Sequence, residues 1–374
     1  MQILKNELKI YQNDEFLKLK NFLSKHTKRA YFVGGFVRDH FMEGCSTDID
    51  IEVFDISPAK FDTLMREFGA KGHGKSFYVY NYKNFDISLP RTEKKVGTGH
   101  RAFEVKVCDD EKLAAKRRDF TINSIMINIF SSEVLDFYGG IDDIKNKTLK
   151  VVDEKTFIED SLRVLRAIQF ASRFNFSVDK DSLNLMKTMD LSDLSRDRVQ
   201  VELRKLFNAK HQEIGLDLIY ELNLFEYLFL YEISHDEYLN LRNLIENGTR
   251  FIQNEIYFLY ITLNFLNLDK ERVLRRLNLS SEFKRVLNEP YFENPSPKNL
   301  LEVSLEMPLC EWLGLDSEEK IELAKKLGVY NKKFDSKVKS KDVIKDGFSG
   351  KEIGLEIKRR ENLAITDYLK KFKA

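Results

Sequence analysis

The sequence has few of the residues that mark secreted, zinc-binding or membrane proteins. Its three cysteines, Cys45, Cys108 and Cys310, show no Cys-x-x-Cys spacing. This argues against a zinc site and a disulfide framework, and it favours a reducing compartment. No apolar run approaches the length of a transmembrane helix, and no signal peptide opens the chain. We therefore expect a cytoplasmic protein with no membrane partner.

An excess of one charge is also lacking, and proline is rare. Lysine and arginine total 61 against 60 aspartates and glutamates, so any nucleic-acid surface must be a local patch. Only 6 prolines occur in 374 residues, and Leu, Phe, Lys and Glu are abundant beyond the first third, which predicts a mostly helical protein there. A chain of this length suggests two or more domains.

The most informative segment, YFVGGFVRDHFMEGCSTDIDIEVFD, runs from residue 31 to residue 55. Its apolar start predicts a buried strand. Gly34 and Gly35 predict a sharp turn at which the backbone can approach a ligand without interference from a Cβ atom. A helical turn with Arg38 and Asp39 follows. A glycine turn of this kind is suited to holding phosphate groups.

Two acids follow the glycine turn. Asp48 and Asp50 alternate with apolar residues, so both project from one face of a second strand. Neighbouring carboxylates repel each other unless a cation lies between them, and a two-carboxylate metal platform suits nucleotidyl transfer. Asp86, in the predicted strand FDISL, is a candidate third carboxylate. The alternative is a strand edge with solvated aspartates.

A second cluster, KRRDFTINSIMIN, spans residues 116–128. Its pattern predicts a helix whose first turn carries Arg117, Arg118 and Asp119, with Asn123 one turn further on. Arginine binds phosphate oxygens with two parallel hydrogen bonds, and the start of a helix favours anions. The alternative is a solvated helix face.

Two polar, glycine-containing segments have structural alternatives. Residues 90–101, PRTEKKVGTGHR, predict a loop that either covers a substrate as a lid or is a solvated connection. Residues 133–144, EVLDFYGGIDDI, predict a short strand and a Gly-Gly turn beside an acidic pair, for which a hinge is the favoured interpretation.

Residues 157–174, FIEDSLRVLRAIQFASRF, predict one long helix. Leu162, Leu165 and Ile168 form its apolar stripe. Asp160 and Arg163 are three residues apart and would share one helix face, with Arg166 nearby. An ion pair on a surface helix is the simplest interpretation of this spacing.

Together these segments resemble a known family. GGFVRD followed by TDIDIEV is similar to the first motif of the class II tRNA nucleotidyltransferase and poly(A) polymerase family, RRDFTIN resembles its second motif, and EDSLRVLRAIQFASRFNF its nucleotide-selecting motif. Asp136, Gly140 and Asp143 match its D-x-x-x-G-x-x-D pattern, and Arg198 and Glu202 match a motif of its neck helix. The resemblance covers residues 30–205 well and the remainder weakly.

The resemblance implies an α+β fold, with a polymerase-β-like head of mixed sheet and helices followed by helical neck, body and tail. The expected boundaries are residues 1–145 for the nucleotidyltransferase head, 146–210 for the neck, 211–290 for the body and 291–374 for a tRNA-binding tail. Lysines and arginines clustered after residue 332 suit contacts with a phosphate backbone. Solvated basic helices are the alternative.

For function, the resemblance implies template-independent addition of CCA to the tRNA 3′ end from CTP and ATP. Asp48 and Asp50 would be catalytic and would bind Mg²⁺. The expected nucleotide-binding residues share positions in the three motifs: Gly34, Gly35, Arg38, Asp39, Arg118, Asp119, Asn123, Asp160, Arg163 and Arg166. The alternatives are a CC-adding or A-adding enzyme, a bacterial poly(A) polymerase, and a catalytically silent RNA-binding protein. Oligomeric state has no signature in the sequence.

The chemistry of Asp160 and Arg163 suits base selection. Cytosine and adenine both present an amino donor beside a ring-nitrogen acceptor, whereas uracil and guanine present a carbonyl acceptor beside an N–H donor. A carboxylate only accepts hydrogen bonds and a guanidinium only donates them. The pair would therefore complement C and A, and it would leave unpaired groups against U and G.

Overall fold

The computed structural model describes residues 9–44, 47–72, 78–95 and 103–373. The chain forms two compact units, Met1–Leu203 and Arg204–Ala374. We treat each unit separately, and the finer boundaries of head, neck, body and tail stay a prediction. Within the described ranges, no helix is both long enough and apolar enough to cross a membrane.

The first unit is built on a mixed sheet of seven strands in the order β3-β4-β5-β2-β1-β8-β9. β2 and β5 run parallel, and the other neighbours in this sheet are antiparallel. Two smaller sheets pair β6 with β7 and β10 with β11. The strands in chain order are β1 (Ala30–Val33), β2 (Ile49–Val53), β3 (Lys71–Gly72), β4 (Val79–Tyr82), β5 (Phe85–Ser88), β6 (Arg91–Lys95), β7 (Phe103–Val107), β8 (Met126–Asn128), β9 (Val134–Leu135), β10 (Thr148–Leu149) and β11 (Ser177–Val178).

The register of the central strands determines where the acids lie. β1 pairs with β2 so that Val33 is opposite Asp50, and Val33 is the last residue before Gly34. β2 pairs with β5 so that Asp50 is opposite Asp86. Asp50 therefore lies between the end of β1, where the chain turns at glycine, and an acidic residue on the neighbouring strand.

Helices pack against the sheet of the first unit, and further helices follow the sheet in the chain. α1 buries Phe16, whose ring lies 5.1 Å from that of Phe32 and 6.1 Å from that of Phe85. The helices of this unit are α1 (Asp14–Leu23), α2 (Gly35–Phe41), α3 (Pro58–Phe68), α4 (Glu111–Lys116), α5 (Gly140–Lys145), α6 (Glu154–Phe157), α7 (Leu162–Phe174) and α8 (Lys180–Lys187). The next helix, α9 (Arg196–Phe207), spans the division between the two units.

The second unit is helical throughout the part that the structure describes. One of its cores surrounds Trp312, which is fully buried and donates its indole N–H to the carbonyl of Pro290 at 2.9 Å. Its α-helices are α10 (Gln212–Glu221), α11 (Phe225–Phe229), α12 (His235–Gly248), α13 (Tyr257–Phe265), α14 (Lys270–Arg276), α15 (Arg285–Asn288), α16 (Pro297–Ser304), α17 (Glu318–Lys326), α18 (Ser340–Lys345) and α19 (Lys351–Lys373).

This architecture confirms the predicted fold class of a mixed-sheet head followed by helices. The helix expected at residues 116–128 is wrong, however. The helix lies earlier in the chain: α4 begins after Asp110, which caps it by accepting a hydrogen bond from the backbone N–H of Leu113, and it ends at Lys116. Arg118 and Asp119 instead follow that helix, before a 3₁₀ turn at Thr121–Asn123 and strand β8.

The single helix expected at residues 157–174 is also wrong. The chain breaks between α6 and α7, and Asp160 lies in the break. The Asp160 carboxylate accepts a hydrogen bond from the backbone N–H of Leu162 at 3.2 Å, which satisfies one donor at the new helix start. Leu165 and Ile168 are buried as expected, whereas Leu162 is half-buried.

The loop expected at residues 90–101 is partly wrong. Residues 91–95 form β6, which pairs with β7 as an antiparallel ribbon from Arg91 opposite Val107 to Lys95 opposite Phe103. Only Thr92 in β6 has a high strand propensity, so the sequence of this segment gives little sign of a strand. Residues 96–102, which include His100 and Arg101, lie outside the described residues.

Candidate active site

The glycine turn brings an arginine and an aspartate against the main chain. Gly34 has φ +67° and ψ −136°, and it precedes the first residue of α2. A Cβ atom on Gly34 would lie 3.0 Å from Nη1 of Arg118 and 3.2 Å from Oδ2 of Asp50. The positive φ and the close approach both require glycine. The turn therefore has the conformation that the sequence predicts.

The Asp50 carboxylate is in an unfavourable electrostatic environment. Its pKa is raised, because the surrounding walls displace water from it, an effect that the positive charge of Arg118 partly opposes. Asp86, Glu52 and Asp48 raise the pKa further through their like charges. A divalent cation would relieve this repulsion, and carboxylate oxygens are the ligands that Mg²⁺ prefers.

Asp86 is beside Asp50 in the backbone register, but its side chain has a partner of its own. The Asp86 carboxylate accepts a hydrogen bond from the side-chain amide of Asn81 at 3.0 Å. Within the described ranges, no group of three or more His, Cys, Asp or Glu side chains is close enough to hold a metal ion. A third metal carboxylate at Asp86 therefore stays a prediction.

Glu52 is a site residue that the sequence reasoning missed. Its side chain is 2% exposed, and its Oε1 accepts hydrogen bonds from Nη2 of Arg117 at 2.6 Å and from Nη2 of Arg118 at 2.8 Å. The two arginines lower the pKa of Glu52 against the opposing effect of burial. The signal was present in the strand period, because Glu52 follows Asp50 at spacing two on β2.

A hydrogen-bonded chain forms the opposite wall. Asp119 accepts hydrogen bonds from Nε of Arg166 at 2.7 Å and from the amide of Asn123 at 2.9 Å. The Asn123 oxygen in turn accepts from Nη1 of Arg38 at 2.9 Å, and Arg38 donates to Asp39 at 2.6 and 2.8 Å. The pKa of Asp119 is lowered, because these donors outweigh the effect of burial. The structure thus joins residues that the sequence predicts on separate helices.

Arg38 is buried deeply in this wall. It is 6% exposed, and its guanidinium lies over the rings of Phe170 and Phe174 at 5.3 and 4.7 Å. Both rings belong to α7, so Arg38 connects the start of α2 to that helix. Its contacts indicate that it builds the wall of the site.

Asp160 and Arg163 face the same site with partners other than each other. Both carboxylate oxygens of Asp160 accept from Nη2 of Arg198, at 2.9 and 3.1 Å. The Nη1 and Nη2 atoms of Arg163 each donate at 2.8 Å to a backbone carbonyl, that of Thr156 and that of Arg117 respectively. These bonds hold both side chains in defined positions.

The acidic turn around Asp136 supports the site from outside. Asp136 accepts hydrogen bonds from the backbone N–H groups of Gly140 and Ile141, and Asp143 accepts one from the hydroxyl of Thr121 at 2.6 Å. A Cβ atom on Gly140 would lie 2.2 Å from the carbonyl oxygen of Thr121. These contacts favour a structural role for this turn.

One cavity of about 430 Å³ brings the predicted residues together. Asp39, Asp48 and Asp86 are the predicted site residues outside its lining. A cavity of about 780 Å³ in the second unit is larger, and none of the predicted site residues lines it. The smaller cavity is lined by Gly34, Gly35, Arg38, Asp50, Arg118, Asp119, Asn123, Asp160, Leu162, Arg163, Arg166 and Arg198.

Comparison with known proteins matches this arrangement. Residues 30–150 match the model of the poly A polymerase head domain, and residues 175–234 match the model described as a probable RNA and SrmB-binding site of polymerase A. The chain belongs to the tRNA nucleotidyltransferase and poly(A) polymerase family. Both matched regions overlap the stretch in which the family's motifs occur.

Several relatives of this chain are named CCA-adding enzymes. The chain is 27% identical to a CCA-adding enzyme of Lactococcus lactis subsp. cremoris, over 96% of this chain and 94% of the relative. It is 28% identical to a CCA-adding enzyme of Staphylococcus epidermidis, over 72% of this chain and 66% of the relative. The structure of the Thermotoga maritima CCA-adding enzyme complexed with tRNA has the same fold, with a TM-score of 0.65, 24% identity and coverage of 95% and 92% of the two chains.

Proposed function

We propose that this protein adds CCA to the 3′ end of tRNA from CTP and ATP, without a nucleic-acid template and with release of pyrophosphate. One observation carries the proposal. A single cavity combines the glycine turn, Asp50 and Arg118 with Asp160 and Arg163. The first group suits a triphosphate near a metal platform, and the second suits a base. The CCA-adding relatives support the choice of substrate.

The triphosphate would lie between the Gly34 turn and Arg118. The absence of a Cβ atom at Gly34 leaves room beside the arginine, whose Nη1 is close to that turn. A guanidinium binds phosphate oxygens through two parallel hydrogen bonds, which also orient the α-phosphorus for attack. Arg38 and Asn123 would support this arrangement as parts of the wall, together with Asp39 and Asp119.

Asp48 and Asp50 would hold Mg²⁺. Their oxygens are hard ligands of the kind this ion prefers. The pKa of Asp50 is raised by loss of water and, to a smaller extent, by like charges, and a cation would relieve both effects. Bound divalent ions supply activation of the RNA 3′-hydroxyl and charge neutralisation on the departing pyrophosphate. Asp86, opposite Asp50 on the adjacent strand, would be a third carboxylate.

Base selection would rest on Asp160 and Arg163. An ionised carboxylate has about four acceptor positions. The bonds that Asp160 accepts from Arg198 and from the N–H of Leu162 leave capacity at Oδ2 for the amino group of cytosine or adenine. The two carbonyls that hold Arg163 fix the plane of its guanidinium, which donates toward a ring nitrogen. Uracil and guanine would oppose like groups at both positions.

The test uses purified protein and tRNA that lacks its terminal CCA. We expect labelled CTP alone to add two residues, ATP alone to add none to this substrate, and the two together to complete CCA. Addition that stops at CC, addition of A only to tRNA ending in CC, or a long A tract would indicate one of the related activities instead. Consumption of neither nucleotide would overturn the proposal in favour of an RNA-binding protein.

A further inference from the structure

Glu52 is a buried acid that the proposed chemistry does not use. It lies on β2 two residues after Asp50, and its side chain is 2% exposed. A buried carboxylate is costly unless donors surround it, so its position needs a reason. That reason is the pair of arginines that meet at one of its oxygens.

Both arginines approach the same atom. Nη2 of Arg117 lies 2.6 Å and Nη2 of Arg118 lies 2.8 Å from Oε1 of Glu52, while Oε2 has no hydrogen-bond partner among the described residues. Two adjacent guanidinium groups would repel each other without a shared anion. Because one carboxylate oxygen accepts from both, Glu52 restrains their positions together.

The restrained orientation matters because the other terminal nitrogen of Arg118 lies at the Gly34 turn. While Nη2 is bonded to Glu52, Nη1 lies 3.0 Å from the position that a Cβ atom on Gly34 would occupy. The guanidinium is planar, so fixing one Nη atom restricts the direction of the other. Arg118 is 17% exposed and lines the cavity.

We infer that Glu52 is a positioning residue for nucleotide binding: its carboxylate orients Arg118 toward the triphosphate before the nucleotide arrives. The inference rests on the proposed function for the identity of the ligand, and it assigns no contact between Glu52 and substrate. Since CTP and ATP share the triphosphate, Glu52 affects both nucleotides alike. Arg163 is held by the backbone carbonyls of Thr156 and Arg117 and not by Glu52, so we expect selection of the base to be unaffected.

The experiment measures equilibrium binding of CTP and ATP, without RNA, to the full chain. We expect Glu52→Ala to weaken both by a common factor of roughly tenfold, as when a hydrogen bond to a charged group is lost. Glu52→Gln should recover part of the affinity, because its amide oxygen can still accept from Arg118, although the negative charge between the two arginines is lost. In addition assays, the KM for both nucleotides should rise with little change in kcat.

Two controls separate positioning from loss of stability. Glu111→Ala removes another carboxylate of the first unit, bonded to Arg29 at 2.7 and 2.8 Å and to Tyr31, outside the cavity lining. It should lower the melting temperature and leave nucleotide affinity unchanged. In an Arg118→Ala background, Glu52→Ala should weaken binding no further, because the residue through which it acts is gone.

Several outcomes would overturn the inference. These are wild-type or tighter affinity in folded Glu52→Ala, weaker binding of one nucleotide only, equal loss in Glu111→Ala, additive losses in the double variant, and failure of the wild-type protein to bind either nucleotide. Failure of the proposed function is distinguishable: a protein that binds CTP and ATP in the expected pattern but adds nothing to trimmed tRNA retains the role of Glu52 and loses the CCA assignment.

Discussion

Asp50 on strand β2 and Asp119 in the turn after α4 line one cavity, but their carboxylates have different surroundings. Asp119 accepts hydrogen bonds from Arg166, Asn123 and a backbone N–H, and its pKa is lowered. Asp50 lies among like charges, and its pKa is raised. Asp119 is part of the wall because hydrogen-bond donors surround its carboxylate. The surroundings of Asp50 disfavour its charged form, and a bound cation would relieve this.

The largest expected effect comes from removing Asp48 and Asp50, the two acids assigned to Mg²⁺. Asp48→Ala combined with Asp50→Ala should abolish nucleotide incorporation, a loss of at least roughly a thousandfold, because the metal platform is gone. Binding of tRNA should stay nearly unchanged, which filter binding can measure. Incorporation that survives in the double variant would show that the metal assignment to these acids is wrong.

Removing Asp119, whose carboxylate accepts several hydrogen bonds, should mainly lower the stability of the protein. Asp119→Ala leaves Arg166 and Asn123 without their shared acceptor, and we expect the free energy of unfolding to fall by about 3 kcal/mol. Urea denaturation measures this loss. Asp119→Asn retains an acceptor oxygen and should cost less. Wild-type stability in Asp119→Ala would contradict the interpretation of this network as a wall.

Asp160→Ala tests the part of the wall assigned to base reading. We expect the preference for CTP over UTP, measured as the ratio of kcat/KM values, to fall by roughly tenfold or more, because the acceptor for the amino group is lost. The preference for ATP over GTP should fall as well. Unchanged kinetics with all four nucleotides would remove the base-reading role.

The smallest expected effect is a change in melting temperature caused by the unfavourable environment of the Asp50 carboxylate. Because the folded state raises the pKa of Asp50, its ionised form opposes folding above that pKa when no metal is present. Asp50→Asn should therefore raise the melting temperature in EDTA by roughly 1–2 °C near neutral pH. Magnesium should stabilise the wild type more than this variant.

Asp86→Asn is the matched control for that comparison. Its backbone lies opposite Asp50 on the parallel strand, while its carboxylate bonds to Asn81. If the magnesium-induced rise in melting temperature survives in this variant, two carboxylates suffice. If it disappears as completely as in Asp50→Asn, then Asp86 is a third ligand.

Patterns that act over a few residues were predicted well. The β1–glycine–α2 turn follows from strand period and from the conformational freedom of glycine, and it occurs in the structure. Asp50 lies on β2 as predicted, whereas Asp48 precedes that strand, so a shared face for the two acids stays a prediction. The element boundaries near Arg118 and Asp160 were missed. The cap at the start of α4 and the hydrogen bonds in the break before α7 set these boundaries, and hydrophobic period alone shows neither of them.

Pairings between distant side chains could not be predicted for a different reason. Arg198 with Asp160, and Glu52 with Arg117 and Arg118, join residues that are 38, 65 and 66 positions apart. A carboxylate at a given strand position accepts from whichever donor the fold brings near it. Spacing shows which face a side chain occupies, and it does not show what lies opposite.

By itself the sequence determined the chemistry that is available: a glycine turn, alternating acids on a strand, paired arginines, and an acid three residues before an arginine. These depend on residue type and local period, which the chain carries before it folds. Only the tertiary structure decided which acids are paired with hydrogen-bond donors and which lie among like charges. That outcome depends on burial and on the charges that distant segments bring together, as Asp119 and Asp50 show in one cavity.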